Sequence, residues 1–339
     1  MIEKISVVII TRNREKMLED CLESIVKQTR LPDEVIVIDN ASTDDTKKLV
    51  LSFKKILPLR YVLEKQIGIP YARNKGIQEA SGTLLLMLDD DCEAGKFWVE
   101  KMEKAHKKYP KAWVIQGRTN SLPKERLYSP LAEFNRFLSL RNYAKTKISL
   151  TGLTKLLSRV KKFKILPLRA NYIKTLKSSL RINGFFNKDF REEIATFTCD
   201  TKNFSIKTSY LKKYKLLFDE HFYRGSDSDL GKQIVQKNGL IIFCPNILVF
   251  HWERPTLAEF LKQRWHIGRT AARISDKWKM PAARNINPPV KKLLTFLLFC
   301  KVFNQLHKLP ILTSLLFLDR LYYLNGYFFE KRVLSLAKH

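Results

Sequence analysis

Short apolar runs alternate with helix-like patterns along the first 120 residues of the chain. Runs of Val, Ile and Leu predict buried strands, and apolar residues that recur every three or four positions predict helices. The predicted strands are residues 5–10, 35–38, 59–63, 83–88 and 112–116, and the predicted helices are 17–26, 45–53, 70–80 and 96–108. Because strands that alternate with helices form right-handed βαβ units, we expect an α/β fold with a mostly parallel sheet flanked by helices.

The pattern changes after residue 123. Residues 124–190 mix apolar and basic positions without a strand period, which indicates helices and loops inserted between two parts of the fold. Residues 191–253 regain a globular pattern, and residues 254–339 read as a helical tail. The elements expected in the third segment are strands 196–206 and 240–250 and a helix 227–237. The sequence therefore predicts four segments, of which the first and third, 1–123 and 191–253, form the sheet domain.

Charge separates the same segments. The chain has 62 Lys and Arg against 33 Asp and Glu, a formal net charge of +29. Residues 124–190 hold 16 basic and 3 acidic side chains, and residues 254–339 hold 16 and 4, whereas the other two segments are nearly neutral. An imbalance of this size predicts an anionic partner or surface. We expect the neutral segments to carry the chemistry and the basic ones to determine the location.

The cysteines and the apolar runs bear on the compartment. The five cysteines form no CxxC pair and are odd in number, which argues against a disulfide framework or a zinc site and favours a reducing compartment. The start of the chain lacks the length and the cleavage site of a signal peptide. No stretch of 18 apolar residues exists in the sequence, so we expect no clear transmembrane helix and a cytoplasmic location.

Three consecutive carboxylates, Asp89, Asp90 and Asp91, follow the predicted strand 83–88. Carboxylates this close repel one another unless a cation or hydrogen-bond donors compensate. Oxygen ligands of this kind suit Mg²⁺ or Mn²⁺, which bridge to substrate phosphates. A solvated acidic turn is the simpler interpretation of such a triplet by itself. Its position after a strand of a parallel sheet, where ligands bind, favours a metal site instead.

Other polar residues lie near the same predicted edge. Thr11 ends the first strand, and Asp39 ends the second. Asp39 can accept hydrogen bonds from a base or a ribose, although a turn that caps the following helix is also typical of this position. Arg73 and Lys75 lie on the helix 70–80. Arg73 can reach a phosphate or a base, whereas a solvated helix face suits Lys75 better.

The third segment adds one acidic motif and one histidine. Gly225-Ser226-Asp227-Ser228-Asp229 precedes the helix expected there. Ser226 can cap that helix while the acids stabilise its N-terminus, and Asp227 can also act as a general base. His251 follows the apolar run 240–250. A lone histidine is usually structural, and it would become a metal ligand only if the acidic triplet lay nearby.

Taken together, these motifs resemble a known family. The first segment contains SVVIITRNR, CLESIVKQT, PDEVIVIDNASTDDT, GIPYARNKGI and ASGTLLLMLDDDC in this order. They resemble the nucleotide-sugar-binding half of family 2 inverting glycosyltransferases, which have the Rossmann-like GT-A fold. FDEHFYRGSDSDL and GLIIFCPNILVFHW are similar to the acceptor and base region of that family. The resemblance covers residues 1–123 and 191–270 well and the remainder poorly.

The resemblance implies a role for each matched residue. Asp91 would hold the metal with His251, and Asp227 would be the catalytic base. Ser226 stands where the family has Glu, which keeps Asp229 as the alternative base. The residues implied in nucleotide-sugar binding are Thr11, Arg12, Asp39, Arg73, Asp89 and Asp90. We therefore expect a metal-dependent inverting glycosyltransferase that uses Mn²⁺ or Mg²⁺ and a nucleotide-sugar, with a UDP-sugar as the first expectation.

Other functions remain open alternatives. A nucleotidyltransferase would need a Gly-rich loop after the first strand, where Thr11-Arg12-Asn13-Arg14 has no glycine. Binding of nucleic acid would suit the charge, but the basic segments contain no recognisable reading motif, so we expect no nucleic-acid partner. A catalytically inactive scaffold is supported only by Ser226. Processive synthesis is not expected, because Leu261 replaces the Gln of the family's Gln-x-x-Arg-Trp motif.

The tail contains three short apolar runs, at 293–300, 310–318 and 321–329, which Lys and Arg flank or interrupt. Each run is too short to span a bilayer, and Asp319 and Arg320 disfavour joining the last two into one span. We expect separate helices that lie on an anionic membrane surface, on its cytoplasmic side. The acceptor would then be a glycan or a lipid-linked glycan. The alternative is that these helices pack on the protein itself or form a homo-oligomer.

Overall fold

The computed structural model of the chain describes residues 3–121, 194–196, 199–222, 224–252, 256–280 and 309–336. The chain divides into two compact units. The first consists of Met1–Leu122 and Glu193–Trp252, and the second of Pro123–Glu192 and Glu253–His339. The predicted basic insertion 124–190 and the apolar run 293–300 lie outside the described residues.

The first unit contains nine strands and six helices among its described residues. Its strands are β1 Ile5–Thr11, β2 Glu34–Asp39, β3 Leu59–Leu63, β4 Leu84–Asp89, β5 Cys92–Ala94, β6 Ala112–Ser121, β7 Ile194–Thr196, β8 Phe204–Lys207 and β9 Leu240–His251. Its helices are α1 Glu15–Val26, α2 Thr46–Phe53, α3 Ile69–Glu79, α4 Trp98–Lys108, α5 Thr208–Tyr214 and α6 Ser226–Gln236.

All nine strands form one sheet in the order β3-β2-β1-β4-β8-β6-β9-β5, with β7 paired to β9. The neighbours β3, β2, β1 and β4 are parallel, as are β6 and β9. Strand β8 runs antiparallel to β4 and β6. The expected α/β fold, a mostly parallel sheet flanked by helices, is confirmed. The carboxyl ends of β1, β2 and β4 lie side by side at one edge.

Two apolar layers cover the sheet because successive side chains of a strand point to opposite faces. Val7 and Ile9 of β1 pack with α1, α2 and α4 on one face. Val8 packs with α3, α5 and α6 on the other. Every residue of β2 is buried, which is expected of a strand with helices on both sides. This packing fixes the ends of the strands on which the polar residues lie.

The predicted single strand 196–206 is wrong. The chain instead forms β7, then a 3₁₀ turn at Thr201–Asn203, then β8. The Asp200 side chain accepts a hydrogen bond from the Lys202 backbone N–H, which favours the turn over an extended strand. Asn203 is fully buried, and its amide donates to the carbonyl oxygens of Arg118 and Ile247. Polar side chains within the segment, through hydrogen bonds to backbone groups, therefore interrupt a strand that the apolar pattern predicts to be continuous.

The described part of the second unit is a pair of helices, α7 Leu257–Lys277 and α8 Leu309–Leu336. Two glycines lie where the helices contact each other. A Cβ on Gly268 would lie 1.9 Å from the Tyr323 carbonyl oxygen, and one on Gly326 would lie 2.0 Å from the Trp265 carbonyl oxygen. No other side chain fits there, so the backbones touch directly.

Buried ion pairs connect the same two helices. The fully buried Asp319 pairs with Arg264, and the fully buried Glu330 pairs with Arg269 and Arg273. The expectation of separate helices for 310–318 and 321–329 is therefore wrong, because Asp319 turns towards Arg264 and α8 continues through it. None of the helices among the described residues combines the length and the apolarity that crossing a membrane requires.

Candidate active site

The predicted site residues of the first strands come together at one edge of the sheet. Thr11 at the end of β1 lies opposite Asp39 of β2, and Ile10 lies opposite Asp89 of β4. The buried Thr11 hydroxyl donates a 2.9 Å hydrogen bond to Asp90 Oδ2. Strand register alone thus brings together residues that are up to 79 positions apart. The acidic triplet lies at the carboxyl edge of the parallel strands, which is the position that the sequence predicts for it.

A residue that the sequence reasoning missed, Arg14, lies against this triplet. It precedes α1, and its Nη1 atom lies 2.9 Å from Asp90 Oδ1 and 2.9 Å from Asp91 Oδ2. Arg12, which the resemblance implied, is exposed instead. The only signal for Arg14 in the sequence is its position at the start of a helix that follows a binding-edge strand.

The two carboxylates that share Arg14 have opposite pKa shifts. Burial raises the pKa of Asp90 above its ordinary value, and with smaller contributions from Asp91 and Asp89 it outweighs the lowering by Arg14 and Thr11. Burial would also raise the pKa of Asp91, but His251, Arg14 and Lys202 outweigh it and hold that pKa below its usual range. Asp91 is therefore the carboxylate that remains charged, and Asp90 is the one that accepts a proton more readily.

Strand pairing brings His251 to Asp91. In the antiparallel β5–β9 pair, His251 lies opposite Cys92, and the Trp252 backbone N–H donates to the Asp91 carbonyl oxygen at 2.9 Å. As a result, His251 Nε2 lies 3.6 Å from Asp91 Oδ1. The histidine and the acidic triplet are thus adjacent, which was the condition for considering His251 a ligand.

The spacing of these two groups fits a shared metal ion. Two ligands of one Mg²⁺ or Mn²⁺ ion, each about 2.1 Å from it, lie roughly 3.0–3.6 Å apart. Asp91 Oδ1 and His251 Nε2 are at the upper end of that range. Within the described part of the chain, no group of three or more His, Cys, Asp or Glu is arranged to hold a metal. The remaining ligands would have to be water and substrate oxygens, which is the usual arrangement for Mg²⁺.

Arg73 connects the triplet to the helix that carries Asp227. This buried residue of α3 lies with Nη2 3.3 Å from Asp89 Oδ1, and its Nη1 donates to Ser226 Oγ at 3.3 Å. Its guanidinium also lies over the Phe218 ring, 5.4 Å from the centroid. The expectation that Arg73 rather than Lys75 faces the site is consistent with this geometry, because Lys75 pairs with Glu79 on the helix surface.

The surroundings of Asp227 and Asp229 differ, although both lie in the first turn of α6. Asp227 is partly buried, and burial together with the nearby Asp200 raises its pKa despite the opposing charges of Arg73 and Lys202. Among the hydrogen bonds of the described residues, Asp227 Oδ1 accepts one, from the Ser228 backbone N–H at 2.7 Å. Asp229 is fully buried and accepts from Gln233 Nε2 at 2.8 Å. Asp227 is therefore the more accessible carboxylate.

The turn between β7 and β8 adds a second group that the sequence reasoning missed. Lys202 Nζ lies 3.0 Å from Asp200 Oδ1. Burial lowers the pKa of Lys202, but the charges of Asp200, Asp89 and Asp227 raise it well above its ordinary value. Gln116 of β6 fixes this turn, since its Oε1 accepts from Asp200 N at 2.7 Å and its Nε2 donates to Asp200 O at 3.2 Å. A permanent cation thus lies among the site carboxylates.

Asp39 is held in place by its neighbours at the end of β2. Its Oδ2 accepts from the Tyr61 hydroxyl at 2.7 Å, and its Oδ1 accepts from Ser42 N at 2.8 Å. Burial and the Asp39 charge raise the pKa of Tyr61 to about 12. The next residue, Asn40, accepts from the Gly68 N–H at the start of α3 at 2.7 Å. The loops after β2 and β3 are thereby joined beside the candidate nucleotide site.

Curated relatives match about a third of the chain. Validoxylamine A glucosyltransferase of Streptomyces hygroscopicus subsp. limoneus is 38% identical over 117 residues, which are 33% of this chain and 26% of that protein. Glycosyltransferase AglE of Haloferax volcanii is 35% identical over 101 residues, 29% of this chain and 33% of that protein. The matched part of the chain thus spans about a quarter to a third of these relatives.

Solved structures align with nearly the whole chain. Mannosyltransferase PcManGT from Pyrobaculum calidifontis, in complex with GDP-Man and Mn²⁺, has a TM-score of 0.56 at 16% identity and covers 96% of this chain and 88% of its own. TarS of S. aureus has a TM-score of 0.50 at 16% identity, covering 97% of this chain and 55% of its own. The model of glycosyl transferase family 2 matches residues 6–214, more than half of the chain. The protein belongs to glycosyl transferase family 2.

Proposed function

We propose that this protein is a metal-dependent inverting glycosyltransferase that transfers a sugar from a nucleotide-sugar to an acceptor hydroxyl. The observation that carries the proposal is the meeting of three groups at one edge of the sheet of a family 2 chain. These groups are the acidic triplet that ends with Asp91, the buried guanidinium of Arg73, and the partly buried carboxylate of Asp227. Together they supply a cation site, a phosphate-binding group and a base.

The donor would lie along the ends of β1, β2 and β4. Asp39 is fixed by Tyr61, so its carboxylate is oriented to accept from a base or a ribose beside it. Arg73 and Lys202 provide fixed positive charge for the diphosphate. The residues proposed to bind the nucleotide-sugar are Thr11, Arg12, Asp39, Arg73, Asp89 and Asp90. A UDP-sugar is the first donor to test.

The residues proposed to hold the divalent cation, Mn²⁺ or Mg²⁺, are Asp91 and His251. Their spacing fits two ligands of one ion, and the lowered pKa of Asp91 keeps that carboxylate charged. When bound there, such a cation supplies charge stabilisation for a departing diphosphate. The protein's own part is to hold the two ligands on adjacent, paired strands.

Asp227 is the proposed general base. A carboxylate whose pKa is raised towards the working pH accepts a proton more effectively than an ordinary one. The acceptor hydroxyl would give its proton to Asp227, and its oxygen would form the new bond to the anomeric carbon. The bond from that carbon to the diphosphate oxygen would break on the opposite side, which inverts the configuration. Asp229 is the alternative base, although its hydrogen bond with Gln233 gives it a structural role.

The acceptor is proposed to be a glycan or a lipid-linked glycan at the cytoplasmic face of a membrane. Support for this comes from the basic segments 124–190 and 254–339, whose charge suits an anionic lipid surface. The exposed apolar residues of α8 lie in the second of these segments.

Nucleotide release from UDP-, GDP- and dTDP-sugars, with Mn²⁺ or with EDTA, tests the proposed activity. We expect release from at least one donor with Mn²⁺ and none with EDTA. Asp91→Ala should lose this metal-dependent release, while Lys16→Gln, an exposed change outside the carboxylate contacts, serves as the control. Full turnover in EDTA, or an unchanged rate in Asp91→Ala, would contradict the assignment of the metal site. No release from any donor would contradict the activity itself.

A further inference from the structure

Arg14 contacts two carboxylates, and one of them, Asp91, is also a residue that the metal proposal needs. A single atom, Nη1, contacts both Asp90 Oδ1 and Asp91 Oδ2 at 2.9 Å. One nitrogen that bridges two carboxylates acts as a local point charge. The Asp91 carboxylate therefore lies between two partners, with Arg14 on Oδ2 and His251 on Oδ1.

Neighbouring cations do not fully balance the negative charges of Asp90 and Asp91. Asp89 has its own cation in Arg73, and Asp200 has its own in Lys202. Asp90 and Asp91, whose side chains are only 6% and 14% exposed, share the single charge of Arg14. Such a pair is under-neutralised in a site with little water, and further positive charge stabilises it. A divalent cation that binds Asp91 must therefore bind beside the Arg14 guanidinium.

We propose that Arg14 couples metal binding to donor binding, because it competes with the divalent cation for Asp91 in the free enzyme and turns to the donor's diphosphate in the complex. Two like charges on one carboxylate repel each other, so Arg14 weakens metal binding while no donor is present. A diphosphate offers the planar guanidinium a partner of opposite charge that can accept two parallel hydrogen bonds. Leaving Asp91 for the diphosphate removes the competition, and metal and nucleotide then increase each other's affinity. This inference rests on the proposed metal and donor sites.

A specific order of binding affinities follows. Metal alone binds weakly, nucleotide alone meets a site without its cation, and the two together bind well. Arg14 thus weakens cation binding in the free enzyme and becomes a binding residue for the donor in the complex. Strand pairing alone reveals neither role, because Arg14 lies in the turn between β1 and α1 and not on a strand.

Mn²⁺ binding to the whole protein, measured by electron paramagnetic resonance without nucleotide, is the test. Arg14→Gln keeps a hydrogen-bond donor and removes the charge, and we expect it to bind Mn²⁺ at least about tenfold more tightly than the unchanged protein, the scale of one charge-assisted hydrogen bond. Arg14→Lys keeps the charge and should stay near the unchanged affinity. Lys16→Gln removes one exposed charge two residues away and should also change little. Equal Mn²⁺ affinity in Arg14→Gln and Lys16→Gln would overturn the proposal.

The second arm repeats the titrations with UDP, GDP and dTDP. At least one nucleotide should tighten Mn²⁺ binding in the unchanged protein, and this gain should shrink in Arg14→Gln. No gain with any of the three would overturn the coupling. If Arg14→Gln does not fold, a crystal structure of the unchanged protein with Mn²⁺ decides, because an ion on Asp91 with Arg14 still 2.9 Å away would refute the competition. Donor turnover by the unchanged protein is measured separately. If that turnover fails while Arg14→Gln still binds Mn²⁺ more tightly, only the proposed activity is rejected.

Discussion

Asp227 and Asp229 show how two carboxylates in one helical turn acquire different roles. Asp227 is partly buried with a raised pKa, and Asp229 is fully buried on Gln233. We expect Asp227→Asn to keep donor binding and to lower transfer by about 10²-fold or more, the scale of lost general-base catalysis. Asp229→Asn should instead lower the thermal unfolding midpoint. Transfer rates, nucleotide affinity and melting curves of both variants measure this.

The opposite pattern would reassign the base. If Asp229→Asn is folded but inactive and Asp227→Asn is active, the base lies two residues further along α6. If neither change slows transfer, the base lies outside this turn.

His106 allows a prediction about pH and stability. It is buried on α4 with its Nε2 2.9 Å from Ser205 Oγ, and burial, aided by Lys207, lowers its pKa to about 3. An unfolded histidine titrates near 6.5, so between pH 6.5 and 3 the unfolded chain binds a proton that the folded protein excludes. The free energy of unfolding should therefore fall with acid in this window, by about 2 kcal/mol from His106 at pH 5. Above pH 6.5 the group contributes no pH dependence.

Urea unfolding at pH 7 and pH 5 measures this contribution. His106→Gln should lose less stability between the two pH values than the unchanged protein does. His221→Gln, a change at an exposed histidine, should leave the difference intact. A drop in His106→Gln equal to that of the unchanged protein would rule out His106 as the source.

At the residue scale, the sequence identified most of the carboxylates and few of their partners. Asp89, Asp90 and Asp91 could be predicted because they follow an obvious buried strand. Arg14, Asp200 and Lys202 could not, because their importance depends on strand pairing and on a turn that Gln116 fixes from β6. The local apolar pattern shows where a strand ends, but it does not show which distant side chain neutralises the carboxylates at that end.

Gly268 is the residue through which the helix pair α7–α8 can be tested. A Cβ there would lie 1.9 Å from the Tyr323 backbone, which cannot move away without separating the helices. Alanine normally stabilises a helix by about 1 kcal/mol relative to glycine. We expect Gly268→Ala to destabilise the pair instead, by about 1–3 kcal/mol or more as in other overpacked contacts.

Circular dichroism and thermal unfolding of the whole protein check this expectation. Lys262→Ala, at an exposed position of the same helix, is the matched control and should change little. Gly326→Ala should repeat the effect of Gly268→Ala, since it would contact the Trp265 backbone from the other helix. A stabilised Gly268→Ala would show that the two backbones are not in contact in solution.

At the scale of helices and strands, apolar periodicity predicted the elements whose positions depend on their own local residues. Strands β1 to β4 and helices α1 to α4 fall within a few residues of their predicted positions, because their apolar faces contact one layered core. Segment 196–206 was wrong because buried polar contacts of Asp200 and Asn203 interrupt it. Helix α8 was predicted as two runs because Asp319 looked like an interruption, and the Arg264 that pairs with it is 55 residues earlier.

For the whole molecule, charge is the property that most limits the possible environment. The two basic segments carry nearly all of the +29 net charge, and the neutral ones build the sheet unit. The resemblance of the neutral segments to family 2 could be predicted from ordered motifs, and the family match confirms it. The acceptor could not be predicted from the sequence, because the basic segments contain no motif that indicates binding of a glycan or a lipid.

Helix α8 presents a mixed apolar and basic stripe. Phe317, Leu321 and Phe328 are 67%, 49% and 52% exposed, and their spacing of four and seven residues puts them on one helical face. Arg320, Lys331 and Arg332 fall within about 60° of that face at the helical rotation of about 100° per residue. Apolar side chains flanked by cations are typical of helices that lie in a membrane interface, where each cation near anionic lipid contributes about 1 kcal/mol.

Sedimentation with anionic liposomes therefore tests the location of the whole molecule. We expect the full-length protein to pellet with the liposomes at low salt and much less at high salt, because salt screens the attraction of exposed charges over about 10 Å or less. Phe317→Ser combined with Phe328→Ser should weaken pelleting, while Ile56→Ser, at a residue of the sheet unit that is 59% exposed, should not. A full-length protein that stays in solution at low salt would refute surface binding. Equal pelleting by a chain truncated after residue 285 would move the anchor from α8 to residues 124–190, the other strongly basic segment.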